Sequence, residues 1–279
     1  MLGSVSWESI EPQEGVFDFS ELDKVVLGAR KHGLHLVILW FGSYKNGMSS
    51  YAPAWVKKDY KRFPRVHIND ENLRLKSIEV LSPLSQATWE ADARAFTALL
   101  RHIKEVDKSF STVMMVQVEN ECGILGDSQD RNKLYPEFER KFPNFRTAVS
   151  ARGPKTWEHA FGKRVFANGL LMVRVYANFL GKVAKAGKKE YPLHMFANVW
   201  LNTDSESIFD GHDLPAAIGK SMMVGGGTKP GLFPSGGPCS HTMDIYRFCA
   251  TDLDMLTPAA RTMVAECAVY AIEEPEELF

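Results

Sequence analysis

The 279-residue sequence contains no run near the roughly 18 apolar residues that a membrane-spanning helix requires. Met1 leads into Leu-Gly-Ser-Val, not into a basic segment followed by an apolar one, so neither secretion nor membrane anchoring is signalled and a cytoplasmic setting is favoured. A formal net charge of −1 leaves none of the basic excess that binding a phosphate backbone demands, which sets nucleic acid aside as a partner. Cysteine is sparse: Cys122, Cys239, Cys249 and Cys267 form no CxxC pair and no dense framework, and they read as reduced thiols. Cys239 and His241 have no second ligand pair nearby, and "GGGTKPG" from Gly225 lacks the spacing of a phosphate-binding loop. No metal and no cofactor are expected.

With 45% hydrophobic residues, the chain can bury a sizeable core in one large domain or two small ones. Its pattern repeats. Leu22, Val25, Val26 and Ala29 recur at helical spacing after a capping Ser20, Gly33 closes the helix, and the apolar run "LHLVILWFG" follows at strand length. Ala93, Phe96, Leu99, Leu100, Ile103 and Val106 make a second amphipathic helix before the strand "STVMMVQVEN". Phe166, Leu170, Val173, Ala177, Leu180 and Ala184 make a third, with a stop at Gly187 before "LHMFANVWL", and a shorter version ends at "LDMLTP". Helix, short turn and continuous apolar strand in repetition signify a parallel sheet covered by helices.

Polar and aromatic residues gather just beyond several strand ends: Trp7 with Glu8, Trp40 with Tyr44 and Asn46, Glu119 to Glu121, and Asn198 with Trp200. A (β/α)8 barrel collects its chemistry at that face, whereas a doubly wound sheet concentrates it at one switch point, so the α/β class narrows to the barrel. The connections from about Ser43 to Ser85 and Cys122 to Lys163 are long, as walls of a pocket are. His35 and His194 lie early in their strands, which places them in the core or at the opposite face.

A carboxylate at the end of an apolar strand must be solvated, paired or hydrogen-bonded, so Glu119 and Glu121 are expected to face a wet cleft. Strand alternation sets Gln117, Glu119 and Glu121 on one side and Asn120 on the other, unless the chain bends. Two readings stand: a general acid kept protonated by its neighbour, or caps and arginine partners for nearby loops. The aromatic set Trp7, Trp40, Tyr44 and Trp200 adds a surface on which the apolar face of a sugar could stack, and this favours a saccharide pocket.

"SWESIEPQEGVFDFSELD" with "GLHLVILWFG" resembles the W-x-x-x-E-P-x-x-G-x-F-D-F stretch of clan A glycoside hydrolases, above all the β-galactosidases of families 35 and 42. "VQVENE", "WFGSYKNGMSSYAPAWV", "NVWLN" and "FPSGGPCSHTMDIYRFCATDLDMLTP" extend the resemblance from about Val5 to Pro258. It implies a retaining glycosidase acting on terminal β-galactosides, with Glu121 as acid/base, Asn120 on the substrate 2-hydroxyl, and a carbohydrate as partner. Trp40, Tyr44, Asn46, Trp7 and Trp200 are the remaining expected substrate contacts. Under this resemblance residues 1–279 form one catalytic domain, a partial (β/α)8 barrel of strands two to six plus a terminal helix, truncated at both ends. Thr257 as N-cap, Pro258, Ala259 and Ala260 announce that helix, which puts Glu266 within it and leaves no identifiable nucleophile. The acidic run from Glu273 to Glu277 reads as a solvated tail. The alternative function is a non-catalytic saccharide-binding fragment of the same fold.

Overall fold

A six-stranded sheet dominates the computed structural model, which describes residues 1–133, 164–199, 229–258 and 270–271. In chain order the elements are β1 (Leu2–Ser6), α1 (Trp7–Ile10), α2 (Ser20–Lys31), β2 (Leu36–Phe41), α3 (Ala54–Lys58), β3 (Arg65–Asn69) and β4 (Leu75–Leu81). Then come α4 (Gln86–Val106), β5 (Val113–Gln117), α5 (Arg164–Glu190), β6 (His194–Val199), α6 (Met243–Cys249), β7 (Met255–Pro258) and β8 (Tyr270–Ala271). Strands β1, β2, β5, β6 and β7 are parallel neighbours in that order. The order never reverses, as it would at the switch point of a doubly wound sheet, and it is the order of strands around a (β/α)8 barrel. Among the described residues the sheet stays open, ending at β1 on one side and at β8, antiparallel to β7, on the other.

The two faces of the sheet differ because side chains alternate along each strand. Leu36, Ile38 and Trp40 of β2, Val116 of β5, and Met195 and Ala197 of β6 are buried and belong to the main core. Val37 and Leu39, paired with Met115 and Gln117, point the other way and line a cleft. Helix α2 adds Leu22, Val26 and Ala29 to the core at steps of four and three. Ser20 opens the helix instead of capping it: Phe19 stands at the cap position with no side-chain cap, and the Asp18 carboxylate one residue earlier accepts the Ser20 N–H at 2.9 Å. Helix α4 is capped by Ser85, whose Oγ accepts the Thr88 N–H at 3.3 Å. Helix α5 packs against α4 on one side and α6 on the other.

Four expectations change. Helix α5 runs through Gly187 to Glu190, and Gly187 serves packing: a Cβ there would lie 2.4 Å from Phe96 Cε1 on α4. The long segment from Ser43 to Ser85 carries α3 and the β3–β4 hairpin instead of being loop throughout. Thr257 and Pro258 are strand residues, paired with Asn198 and Val199, because pairing with β6 outweighs the local helix-start signal. Tyr270 and Ala271 pair antiparallel with β7, so strand stands where helix was expected. Residues 259–269, with Glu266, and the acidic residues from Glu273 onward lie outside the described residues. His35 and His194 sit exposed at the N-terminal ends of their strands, on the face away from the cleft mouth. No described helix is long and apolar enough to cross a membrane.

Candidate active site

The bend after β5 organises the site. Glu119 and Glu121 both adopt the left-handed conformation, with φ of 60° and 49°, which costs a non-glycine residue roughly 1–2 kcal/mol. Main-chain bonds to the segment after β2 hold it there: Asn120 N–H donates to Tyr44 O at 3.2 Å, Asn46 N–H to Asn120 O at 3.1 Å and Gly47 N–H to Glu121 O at 2.8 Å. Side chains add two more. Gln117 Nε2 donates to Glu119 O at 2.8 Å, and Asn198 Oδ1 at the end of β6 accepts the Glu121 N–H at 2.9 Å.

The bend breaks the expected alternation. Asn120 and Glu121 both line the cleft with Gln117, while Glu119 turns to the opposite side and is fully buried. The wet setting expected for Glu119 is therefore corrected. It lies between β5 and α4, where burial first, and then the charge and hydrogen bond of Asp92, push its carboxyl well above the ordinary range.

The cleft encloses about 660 Å³. Its floor is the inner face of the sheet, with Val37, Leu39, Met115 and Phe196, and its mouth holds Lys45, Asn46, Asn120, Glu121 and Asn198. Lys45 Nζ donates to Asn46 Oδ1 at 2.8 Å and Asn120 Oδ1 at 3.3 Å, and stands 4.8 Å from the Phe41 ring centroid. Glu121 is half-buried; burial raises its pKa and the Lys45 charge opposes the rise. Glu121 is the one carboxylate among the described lining residues. A half-buried acid with a raised pKa beside amides can deliver a proton to a bound hydroxyl or ether oxygen.

Three of the four aromatic residues expected to form a platform turn away from the cleft. Trp7 is buried and donates to Glu11 Oε2 at 2.6 Å. Trp40 is buried against Phe96 and donates to Asp92 Oδ1 at 3.0 Å. Tyr44 is buried among Tyr176 and Phe179, its hydroxyl donating to Leu81 O at 3.2 Å. None of the three lines the cleft, and their packing value as large apolar surfaces explains why. Trp200 lies outside the described residues. Asn46 does reach the mouth. No group of three or more His, Cys, Asp or Glu side chains suited to a metal ion occurs among the described residues.

The glycoside hydrolase family 42 model, described as beta-galactosidase, matches residues 1–162, more than half of the chain. The chain belongs to glycoside hydrolase family 42. Among solved structures, the beta-galactosidase from the psychrophilic Marinomonas ef1 superposes with a TM-score of 0.51 at 14% identity, covering 71% of this chain and 33% of that one. The beta-galactosidase from Bacillus circulans sp. alkalophilus gives 0.46 at 17% identity, over 71% and 32%. At these identities the Marinomonas likeness supports the fold alone, and the family 42 chain spans about a third of the length of the solved relatives. No curated protein matches the sequence.

Within this family 42 chain, sequence reasoning missed Lys45 and Asp92. Lys45 stands in "GSYKNG" between two residues already singled out. Asp92 interrupts the apolar stripe of α4, four residues after Thr88 and four before Phe96, where a carboxylate signals a buried partner.

Proposed function

We propose that this chain carries the acid/base side of a retaining β-galactosidase site. Glu121 protonates the leaving oxygen of a terminal β-galactoside, and Asn120 holds the sugar's 2-hydroxyl. The observation that carries this is the half-buried Glu121 with its raised pKa, set beside Asn120 at the mouth of a cleft on the inner face of a parallel sheet. A cleft of about 660 Å³ suits a small polar ligand. Retention needs a second carboxylate about 5 Å from the first, approaching the anomeric carbon from the other face. Glu119 does not serve, because it is buried on the far side of the strand. The nucleophile is therefore assigned to a carboxylate other than the described lining residues. Phe41 and Phe196, which line the cleft, replace the buried tryptophans as its aromatic surface.

Glu121 stands as a lone carboxylate among the described lining residues, which favours a second reading, saccharide binding without hydrolysis. Glu121→Gln separates the two. Under the first, the variant loses hydrolysis of an unactivated β-galactoside while sparing an aryl galactoside whose leaving group needs no proton, a contrast of about 10²–10⁴-fold. Equal loss on both substrates removes Glu121 from the acid role. Galactose binding without turnover in the unaltered chain supports the second reading.

A further inference from the structure

Behind the cleft, between β2, β5 and α4, two carboxyl groups are buried without solvent contact, Asp92 and Glu119. They converge on one stretch of backbone. Asp92 Oδ2 accepts the Ser43 N–H at 2.8 Å and the Ser43 hydroxyl at 2.5 Å, and its Oδ1 accepts the Trp40 indole N–H at 3.0 Å. Glu119 Oε2 accepts the Tyr44 N–H at 2.7 Å, and its Oε1 shares the Ser43 N–H at 3.1 Å. Both carboxyl groups thus meet at the single Ser43 N–H, and two buried carboxyls brought this close are relieved of mutual repulsion when one of them carries a proton.

The donor count, three on Asp92 against two on Glu119 with the Ser43 N–H common to both, favours Glu119 as the carrier. Asp92 already receives three donors from Trp40 and Ser43 and needs none of its own. A protonated Glu119 adds a fourth while still accepting from Tyr44, so every oxygen of the pair is satisfied. Two ionised carboxylates would instead face one another in a low-dielectric site. Among the described residues, the other titratable groups around Glu119 are Tyr44 after β2, Tyr176 on α5 and Cys122 beyond the bend, all raised well above their ordinary ranges by burial and hence neutral.

Glu119 is also the first residue of the bend that turns Asn120 and Glu121 into the cleft. We propose that Glu119 is a positioning residue: its carboxyl donates a hydrogen bond to Asp92, and this shared proton anchors the bend to β2 and α4 and so aims Asn120 and Glu121. The idea rests on the reading of Glu121 as the acid of the site. It makes an asymmetric prediction, since glutamine reproduces a protonated glutamate whereas asparagine at Asp92 turns an amide toward donors.

The test uses carbon-13 labelled glutamate carboxyls, followed by NMR across pH in the unaltered chain and in Glu119→Gln, Glu119→Ala and Asp92→Asn. Circular dichroism monitors folding throughout. In the unaltered chain the Glu119 resonance should remain that of a protonated acid after the exposed glutamates have titrated. The raised midpoint of Glu121 should persist in Glu119→Gln and fall toward the ordinary carboxyl range in Glu119→Ala and Asp92→Asn. A Glu119 that titrates with the exposed acids, or a Glu119→Gln that shifts Glu121 as far as Glu119→Ala does, overturns the proposal.

Thermal unfolding supplies a second measure should Asp92→Asn not fold. A carboxyl whose folded pKa is raised loses stability as pH rises from its unfolded value near 4.5 through the folded one. Glu119→Gln should therefore gain on the unaltered chain as pH rises, and a constant difference argues against the shared proton. Galactose titration of Asn120→Ala tests the underlying reading separately: unchanged affinity there removes the saccharide role and leaves the NMR result standing.

Discussion

Replacing Gly42 by alanine probes how closely the backbone between β2 and the bend is packed. A Cβ at this position would sit 2.3 Å from Trp40 Nε1, 2.6 Å from Glu119 Oε1 and 2.7 Å from Asp92 Oδ1. All three side chains are buried, and each is tied to a fixed partner, so none can swing away at low cost. Forcing a methyl group into a packed core costs about 1–3 kcal/mol. Losing one hydrogen bond to a charged group adds about 1.5–3 kcal/mol. Together they give about 2.5–6 kcal/mol, a large share of the ~5–15 kcal/mol that keeps a domain folded. Gly28→Ala is the matched control. Gly28 lies within α2 with nothing within 4 Å of its would-be Cβ, and alanine there should stabilise by about 0.5–1 kcal/mol. Urea unfolding of both variants measures the difference. A Gly42→Ala cost below about 1 kcal/mol would refute the claim that Trp40, Asp92 and Glu119 close around bare backbone.

Two further substitutions test how the strand ends are held. Asp107 is buried at the entry to β5; burial pushes its carboxyl up, but the N–H groups of Val113 and Thr112, Arg30 and the Ser111 N–H outweigh it and hold the pKa below 3.8. Its stabilising contribution is then complete above the unfolded value near 3.8 and lost as pH falls through the lower folded value, so Asp107→Asn should cost about 1.5–3 kcal/mol at neutral pH and flatten the acid limb of the stability curve. An unchanged acid limb in urea titrations argues against this. Asn198→Ala removes the acceptor of the Glu121 N–H, and hydrogen exchange at that amide should quicken by at least about tenfold. No change in exchange means that β6 does not brace the bend.

Much of the architecture is legible because parallel strands covered by helices leave a strong signature. "LVILWF" and "HMFANV" are apolar nearly throughout, and the stripes of α2, α4 and α5 keep helical spacing. The terminal signals mislead where local propensity meets tertiary pairing. Thr257 and Pro258 carry a good helix start, yet β6 offers Asn198 and Val199 as ladder partners, and the strand wins. The tryptophans mislead for a different reason. Position along a strand tells which residues share a face: Trp40 shares parity with Leu36 and Ile38. It does not tell which face looks into the cleft, and burial resolves Trp40 to the helix side.

The bend is the deepest case. Little in "QVENEC" announces this turn, since the segment has no glycine or proline, and positive φ falls on Glu119 and Glu121 and not on the turn-favouring Asn120 between them. What holds it comes from elsewhere in the chain: Tyr44 and Asn46 after β2, Asn198 on β6 and, through the Ser43 N–H that it shares with Glu119, Asp92 on α4. A strained conformation persists only where its surroundings over-determine it, and here three separate elements do so. The two carboxylates on one short segment therefore divide their work by environment. Glu119, enclosed with Asp92, fixes the backbone, and Glu121, half-open beside Lys45, is left in the cleft with a raised pKa. Spacing alone gives both residues the same prospects; the left-handed turn between them makes one structural and the other available for chemistry.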